Sequence, residues 1–185
     1  MLMCQCSKIH KESIDLSPPI KMYSLVFDPN IDDPCGDARQ VSSSYMIYKA
    51  KVNKVIDDSL YINITCYGYY FSNRKVRAVF NIGLAGLCFD KMNNETKMEI
   101  KKIIEKIILN KKVEILINSS LTRKFCIIMI NNQSLNYSLL RNGLGRYCRH
   151  ESYELDWWTA CRYEKSMENA RREKLGIWGD KKTTL

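Results

Sequence analysis

Three basic side chains, Arg74, Lys75 and Arg77, form a compact group in the sequence that could bind phosphate. Arg77 lies inside an apolar, strand-like run, whereas Arg74 and Lys75 precede it in a polar stretch that a solvated loop would also explain. A planar guanidinium can hold two phosphate oxygens at once. The position of Arg77 within an apolar strand therefore favours a functional role for it, as a contact for an anionic ligand.

Asp57 and Asp58 supply two adjacent carboxylates between two β-rich runs. Their oxygens could attract a hard divalent cation, but neighbouring side chains on a strand point to opposite sides. Asp is also frequent in turns, so a hairpin turn is the stronger interpretation. Cys4, Cys6 and His10 are possible soft ligands, but their spacing matches no standard zinc motif. The sequence therefore predicts no metal site.

Charge favours a polyanionic partner. The formal net charge is +9, from 29 Lys and Arg against 20 Asp and Glu. Such an excess suits nucleic acid or an anionic membrane surface, although solvated helices are also rich in Lys.

The eight cysteines raise the question of a disulfide framework, but their settings predict reduced thiols. Cys66, Cys88 and Cys126 lie in apolar, strand-like runs, and Cys161 lies in a predicted helix. No signal peptide is recognisable, and no apolar stretch approaches the roughly 20 residues that span a bilayer. We therefore expect buried thiols in a soluble, intracellular and most simply cytoplasmic protein.

Hydrophobic patterning predicts three strands, a helix, two strands and two further helices. The predicted strands lie at residues 45–56, 60–66, 75–82, 113–117 and 125–130, and the first two form a hairpin. The first predicted helix ends near Asn110, the second begins near Leu135, and the third runs from about Tyr153 to Lys174. This order fits an α+β fold, a five-stranded Greek-key β-barrel of the OB type with three helices.

Two blocks near the C-terminus carry the clearest motif. Residues 139–145 (LLRNGLG) predict a helix that ends at Gly143, where glycine adopts the left-handed conformation at little cost. Residues 170–178 (ARREKLGIW) predict a charged helix that stops at Gly176, followed by an apolar plug. Together the blocks resemble the staphylococcal-nuclease family, and the resemblance extends over roughly residues 45–178.

The resemblance implies roles for three residues. Arg77 matches a strand arginine that contacts the scissile phosphate in the family, and Arg123 matches the family's second phosphate-contacting arginine. Asn136 matches a structural asparagine that begins a helix, and the spacing from Arg123 through Asn136 to Arg141 fits without a gap. In active members, carboxylates hold a calcium ion and a glutamate activates water.

The acidic half of that chemistry is missing. The family's Asp-Gly-Asp-Thr motif is replaced by residues 57–60 (DDSL), which puts Ser59 at the position of the metal-binding aspartate. Active members place an Asp and a Pro-Glu after the strand arginine, but residues 78–87 contain no carboxylate and the next one is Asp90. A weaker resemblance, on Leu84-Ala85-Gly86 and the tryptophan-rich last helix, is to animal proteins with degenerate nuclease-like domains.

The expected function is that of a catalytically degenerate nuclease-like domain. We expect it to bind nucleic acid, single-stranded RNA or DNA, or a protein partner, with no cofactor. The phosphate-binding residues would be Arg77, Arg123, Arg74 and Lys75.

Two alternatives stay open. One is an active metal-dependent phosphodiesterase that uses calcium and relocated carboxylates such as Asp57, Asp58 or Asp90. The other is a scaffold that binds protein through its aromatic last helix. The expected domains are an extension at residues 1–42, the OB-fold domain at 43–179, and a tail at 180–185.

Overall fold

The computed structural model describes residues 23–24, 35, 45–56, 61–71, 74–118, 125–149 and 155–179. The described strands are β1 (Tyr23–Ser24), β2 (Tyr45–Val55), β3 (Ile62–Phe71), β4 (Arg74–Leu84), β5 (Leu87–Cys88), β6 (Lys112–Asn118), β7 (Phe125–Ile130), β8 (Gln133–Ser134) and β9 (Arg146–Tyr147). The described α-helices are α1 (Asn94–Ile108), α2 (Leu135–Arg141) and α3 (Trp157–Arg172), and a 3-10 turn follows at Gly176–Trp178. None of these helices has both the length and the apolar composition needed to cross a membrane.

A mainly antiparallel sheet of seven strands runs in the order β1-β8-β7-β4-β3-β2-β6. Because β6 also pairs with β7, the five long strands β2, β3, β4, β6 and β7 pair in a ring. β5 and β9 form a separate two-stranded sheet. The five predicted strands and three helices are therefore present, but the predicted strand count was too low. The four additional strands have two residues each. β1 lies in residues 23–27 (YSLVF), which the sequence allows as one short strand, whereas the other three are too short to show a period-two pattern.

Period-two alternation explains how the ring strands divide the core from the surface. Along β2, Tyr48, Ala50 and Val52 are buried, while Lys49 between them is exposed. The antiparallel β3 continues the same inward face with Ile62 and Ile64. The fully buried isoleucines of the strands and of α1 are Ile62, Ile64, Ile82, Ile100, Ile104, Ile108, Ile115, Ile117, Ile127 and Ile128. All of them except Ile127 fill the interior of the ring and the α1 contact; Ile127 pairs with Leu116 on the opposite side of β7.

A buried amide connects the end of β4 to β7. These two strands pair in parallel over only two residue pairs, Gly83 with Phe125 and Leu84 with Cys126. Asn136, fully buried in the first turn of α2, donates to the carbonyls of Ala85 (3.1 Å) and Cys126 (3.0 Å) and accepts from the amide of Ile128 (3.0 Å). One side chain therefore satisfies three backbone groups where the ladder is shortest, which confirms Asn136 as structural.

Two glycines allow the end of α2 and the 3-10 turn after α3 to come into backbone contact. Gly143 and Gly176 both have positive φ, 68° and 53°. Gly143 directly follows Asn142, the C-cap of α2, as the sequence predicts for a helix-ending glycine. The prediction that α3 stops at Gly176 is wrong, because α3 ends at Arg172 and Lys174 adopts the left-handed conformation after it. A Cβ on Gly143 would collide with the Leu175 carbonyl, and one on Gly176 would collide with the Gly143 carbonyl. The amide of Ile177 donates to the carbonyl of Gly143 at 2.9 Å. The two positions therefore need glycine for space as well as for conformation.

The start of α3 differs from the prediction. The helix begins at Trp157 and not near Tyr153, because Asp156 is its N-cap and accepts from the amide of Thr159 at 2.8 Å. Tyr45 of β2 donates its hydroxyl to the same Asp156 side chain at 3.0 Å, and burial raises the pKa of Tyr45 well above its usual value. This contact fixes the first turn of α3 against the first residue of β2.

The prediction of reduced thiols is wrong for four cysteines. Disulfides join Cys88 to Cys148 and Cys35 to Cys161. Pairing depends on which cysteines the fold brings together, and local sequence does not contain that information. The prediction is confirmed for Cys66 and Cys126, which are buried and belong to neither disulfide.

Replacing Asn136 by Leu should destabilise the domain by about 3 kcal/mol or more, because the Ile128 amide and the Ala85 carbonyl would lose this partner in the interior. Asn81→Ala is the matched control, since Asn81 makes an exposed amide contact with Asn63. It should change the free energy of unfolding by less than about 1 kcal/mol. Urea unfolding of the three proteins measures both values. Equal losses for the two variants would contradict the structural role of Asn136.

Candidate nucleic-acid interface

The outward side of β2, β3, β4 and β6 forms rows of side chains across the strands, here called the outer face. In the first row Lys49 lies opposite Tyr67 on one side and Glu114 on the other. In the second row Thr65 lies between Val79 and Lys51, and Lys51 lies opposite Lys112. The third row contains Asn53, Asn63 and Asn81, and Arg77 stands beside Tyr67 at the β4 edge of the first row.

The outer face has an excess of positive charge. Four cationic side chains, Lys49, Lys51, Arg77 and Lys112, face one carboxylate, Glu114. Among the described residues none of the four forms an ion pair. Lys51 and Lys112 occupy directly opposed positions on antiparallel strands, an arrangement that destabilises a sheet. A bound anion would remove this repulsion.

Arg77 and Tyr67 combine a cation with an exposed aromatic ring. The Arg77 guanidinium lies 5.7 Å from the centre of the Tyr67 ring, and 41% of Tyr67 is exposed. An exposed ring offers a surface on which a base can stack, and an arginine beside it can contact the phosphate of the same nucleotide. This pair is therefore the part of the outer face that best matches a nucleotide.

An amide ladder occupies the third row. Asn53 donates to Asn63 (3.0 Å) and to Thr65 (2.9 Å), and Asn63 donates to Asn81 (2.7 Å). These neutral polar groups connect the three strands without adding charge. The side-chain amides of this row also place hydrogen-bond donors and acceptors next to the rows that contain the cations.

The predicted phosphate-binding residues are not all brought together among the described residues. Arg77 is exposed on the outer face, and Arg74 and Lys75 are the first two residues of β4, in register with Phe71 and Tyr70. Arg123 lies outside the described residues, and Phe125, two residues later, pairs with Gly83. Gly83 is six residues from Arg77, roughly 20 Å along an extended strand.

The described residues do not fit a calcium site. The described group of three or more potential ligands consists of Cys88, Asp90 and Cys148, whose ligand atoms lie within 4.8 Å of one another. Two of the three are joined in a disulfide, and calcium requires six to eight oxygen ligands, as a rough count. Asp57 and Asp58 lie outside the described residues, so their contribution stays a prediction.

The aromatic last helix is mostly structural. Tyr163 is fully buried and lies 3.3 Å from the Ser134 hydroxyl, and Trp158 is 8% exposed beneath Arg162, whose guanidinium lies 4.7 Å from its ring centre. Neither ring is available to a base. Trp157 is different, because 70% of it is exposed. Of the two neighbouring tryptophans, Trp158 therefore packs inward and Trp157 faces outward.

Lys49, Lys51 and Tyr67 were not singled out from the sequence. The alternation of lysine with buried residues along residues 48–52 (YKAKV) contains the signal, because it places both lysines on one outward side. For Tyr67 no comparable signal exists, since its exposure depends on the pairing of β3 with β2.

Arg77→Ala should lower the free energy of unfolding by no more than about 1 kcal/mol, because its described contact is an exposed cation–π pair. Tyr67→Ala and the double variant complete a double-mutant cycle in urea unfolding, and the coupling energy between the two residues should be about 0.5–1 kcal/mol. A loss above about 2 kcal/mol for Arg77→Ala would show that the arginine is structural.

Comparison with known proteins identifies the family. The family described as staphylococcal nuclease homologue matches residues 83–180, which is 98 of the 185 residues and more than half of the chain. The match contains the Asn136 contacts, Gly143, Gly176 and Arg123, and it begins after Arg77. No curated protein matches the chain. The family match over more than half of the chain shows that the chain belongs to the staphylococcal nuclease homologue family, whose domain is of the OB-fold type and is a nucleic-acid-binding fold.

Proposed function

We propose that this domain binds single-stranded nucleic acid on its outer face without cutting it. The observation that carries the proposal is the set of four cations without ion-pair partners among the described residues, arranged in rows around the exposed Tyr67 ring. A single strand suits this face because its bases are free to stack, whereas a duplex hides them.

Phosphate contacts would supply most of the affinity. Each lysine or arginine that neutralises a phosphate releases counterions, so binding should weaken steeply with salt. Tyr67 and Arg77 would hold one nucleotide by stacking and charge, while Lys49, Lys51 and Lys112 would follow the backbone. Arg74, Lys75 and Arg123 remain proposed contacts that would extend the same surface.

The absence of hydrolysis is also proposed, and it rests on the donor set. Cutting a phosphodiester in the manner of this family needs a hard cation held by several carboxylates. In the described part of the chain, the segment between Gly83 and Phe89 is buried and apolar apart from the paired Cys88. The first carboxylate after it, Asp90, is exposed and stands beside a disulfide.

The test of binding is an anisotropy titration with a labelled single-stranded oligonucleotide. Lys49→Gln with Arg77→Gln should weaken binding at least about tenfold and reduce the slope of log K against log salt by about 1.4, since single strands contribute about 0.7 per phosphate contact. Lys102→Gln with Lys106→Gln is the control, because it removes two exposed positive charges from α1 and so changes the net charge by the same amount as the first pair. Equal effects of the two pairs would show that only overall charge matters.

A cleavage assay with calcium or manganese tests the absence of hydrolysis. No cut product is expected from the wild-type chain at any metal concentration that leaves the oligonucleotide itself intact. Metal-dependent cleavage that disappears in Asp57→Asn with Asp58→Asn would establish the phosphodiesterase alternative.

A protein partner is the second candidate, and the exposure of Trp157 favours it. Large exposed aromatics are enriched at protein interfaces. Two results together would favour this function over nucleic-acid binding. The oligonucleotide affinity would be unchanged in both charge variants, and one stoichiometric partner would copurify with the wild type but not with Trp157→Ala.

A further inference from the structure

The described cysteines divide by position. Cys66 on β3 and Cys126 on β7 point into the ring, are 0% and 1% exposed, and belong to neither disulfide. The other four lie outside the ring strands, on β5, after β9, on α3 and at residue 35, and all four are paired. Each described cysteine outside the ring interior therefore has a disulfide partner.

The backbone spacing fits both bonds. The Cα atoms are 5.8 Å apart for Cys35 and Cys161 and 5.7 Å apart for Cys88 and Cys148. Disulfides form most readily at a Cα separation of about 5.5–6 Å, so neither bond needs the backbone to move.

Each bond joins parts of the fold that are otherwise weakly connected. Cys88 and Cys148 connect β5 and β9, which pair over only two residues each. Cys35 and Cys161 are 126 positions apart and connect the predicted extension to α3. The extension has a second contact, since β1 pairs with β8 through Tyr23 with Ser134 and Ser24 with Gln133.

We infer that Cys35–Cys161 and Cys88–Cys148 are maturation disulfides formed in an oxidising compartment, and that the first makes the extension a covalent part of the domain. Disulfides form and persist in such compartments and are rare where thiols are kept reduced. The sequence predicts a cytoplasmic protein with reduced thiols, whereas this inference predicts that the four cysteines are paired.

The oxidant that the inference requires is a protein or small-molecule disulfide. A thiolate of the chain attacks it, giving a mixed disulfide, and the second thiolate of the pair displaces the reagent. Each new S–S bond removes two protons and two electrons from the chain, and the reagent takes up both as two thiols.

The two ring cysteines should take no part in this exchange. Burial raises the pKa of the Cys66 thiol to about 11, so at pH 8 roughly a thousandth of it is thiolate. Both sulfurs are also closed off from reagents by the core.

Peptide mapping of the protein isolated from its own cells tests the inference. Cells are quenched with acid, free thiols are blocked with N-ethylmaleimide, and the digest is analysed without reductant. Peptides that link residue 35 to 161 and 88 to 148 are expected, with Cys66 and Cys126 labelled only after denaturation. Labelling of Cys35, Cys88, Cys148 and Cys161 would overturn the inference. This outcome includes the case in which Cys88 and Cys148 are reduced and bind Zn²⁺ together with Asp90.

Thermal unfolding of the purified chain supplies an independent test of the first bond. Cys35→Ser, Cys161→Ser and the double variant should share one Tm, roughly 5–15 °C below that of the oxidised wild type. The Tm of a chain with serine in place of Cys35, Cys88, Cys148 and Cys161 should not change when dithiothreitol is added. Additive losses from the two single variants, or no loss, would contradict the bond.

Discussion

The side-chain amide of Asn136 holds together the part of the sheet on which the other elements rest. β4 reaches β7 through a parallel ladder of two residue pairs, and parallel pairing is slightly weaker per residue than antiparallel pairing. The amide adds bonds to Ala85, Cys126 and Ile128 at that junction. Without it the ring of strand pairings would depend at this junction on the two-pair ladder alone.

Both ends of α2 also contact the last helix, α3, or the residue that follows it. Ser134 caps α2 by accepting from the amide of Tyr137 at 3.1 Å, and its hydroxyl also lies 3.3 Å from that of Tyr163 in α3. At the other end of α2, Arg141 binds both carboxylate oxygens of Glu173, at 2.7 and 2.8 Å. α3 is therefore fixed at two levels, by a buried hydroxyl pair and by a surface ion pair beside the joined glycines.

The sequence allows the long elements to be predicted because their patterns are local. Period-two runs predict the ring strands, and isoleucines at helical spacing predict α1. The two-residue strands, the start of α3 at Trp157 and the cysteine pairs depend on which segments meet in space. At the candidate site, Arg77 could be selected from its strand context, whereas the row of Lys49, Tyr67 and Arg77 exists only once β2, β3 and β4 are in register.

The disulfide between Cys35 and Cys161 has a mechanical consequence. The 126 positions that separate the two cysteines include the ring strands, α1 and α2, so these elements lie inside one covalent loop. Tension applied between a point before Cys35 and a point after Cys161 would pass through the sulfur atoms and bypass the loop. The five ring strands and their outer face would therefore keep their shape under a pulling force that would peel apart an open chain of the same fold, whereas β1 lies before Cys35 and outside the loop.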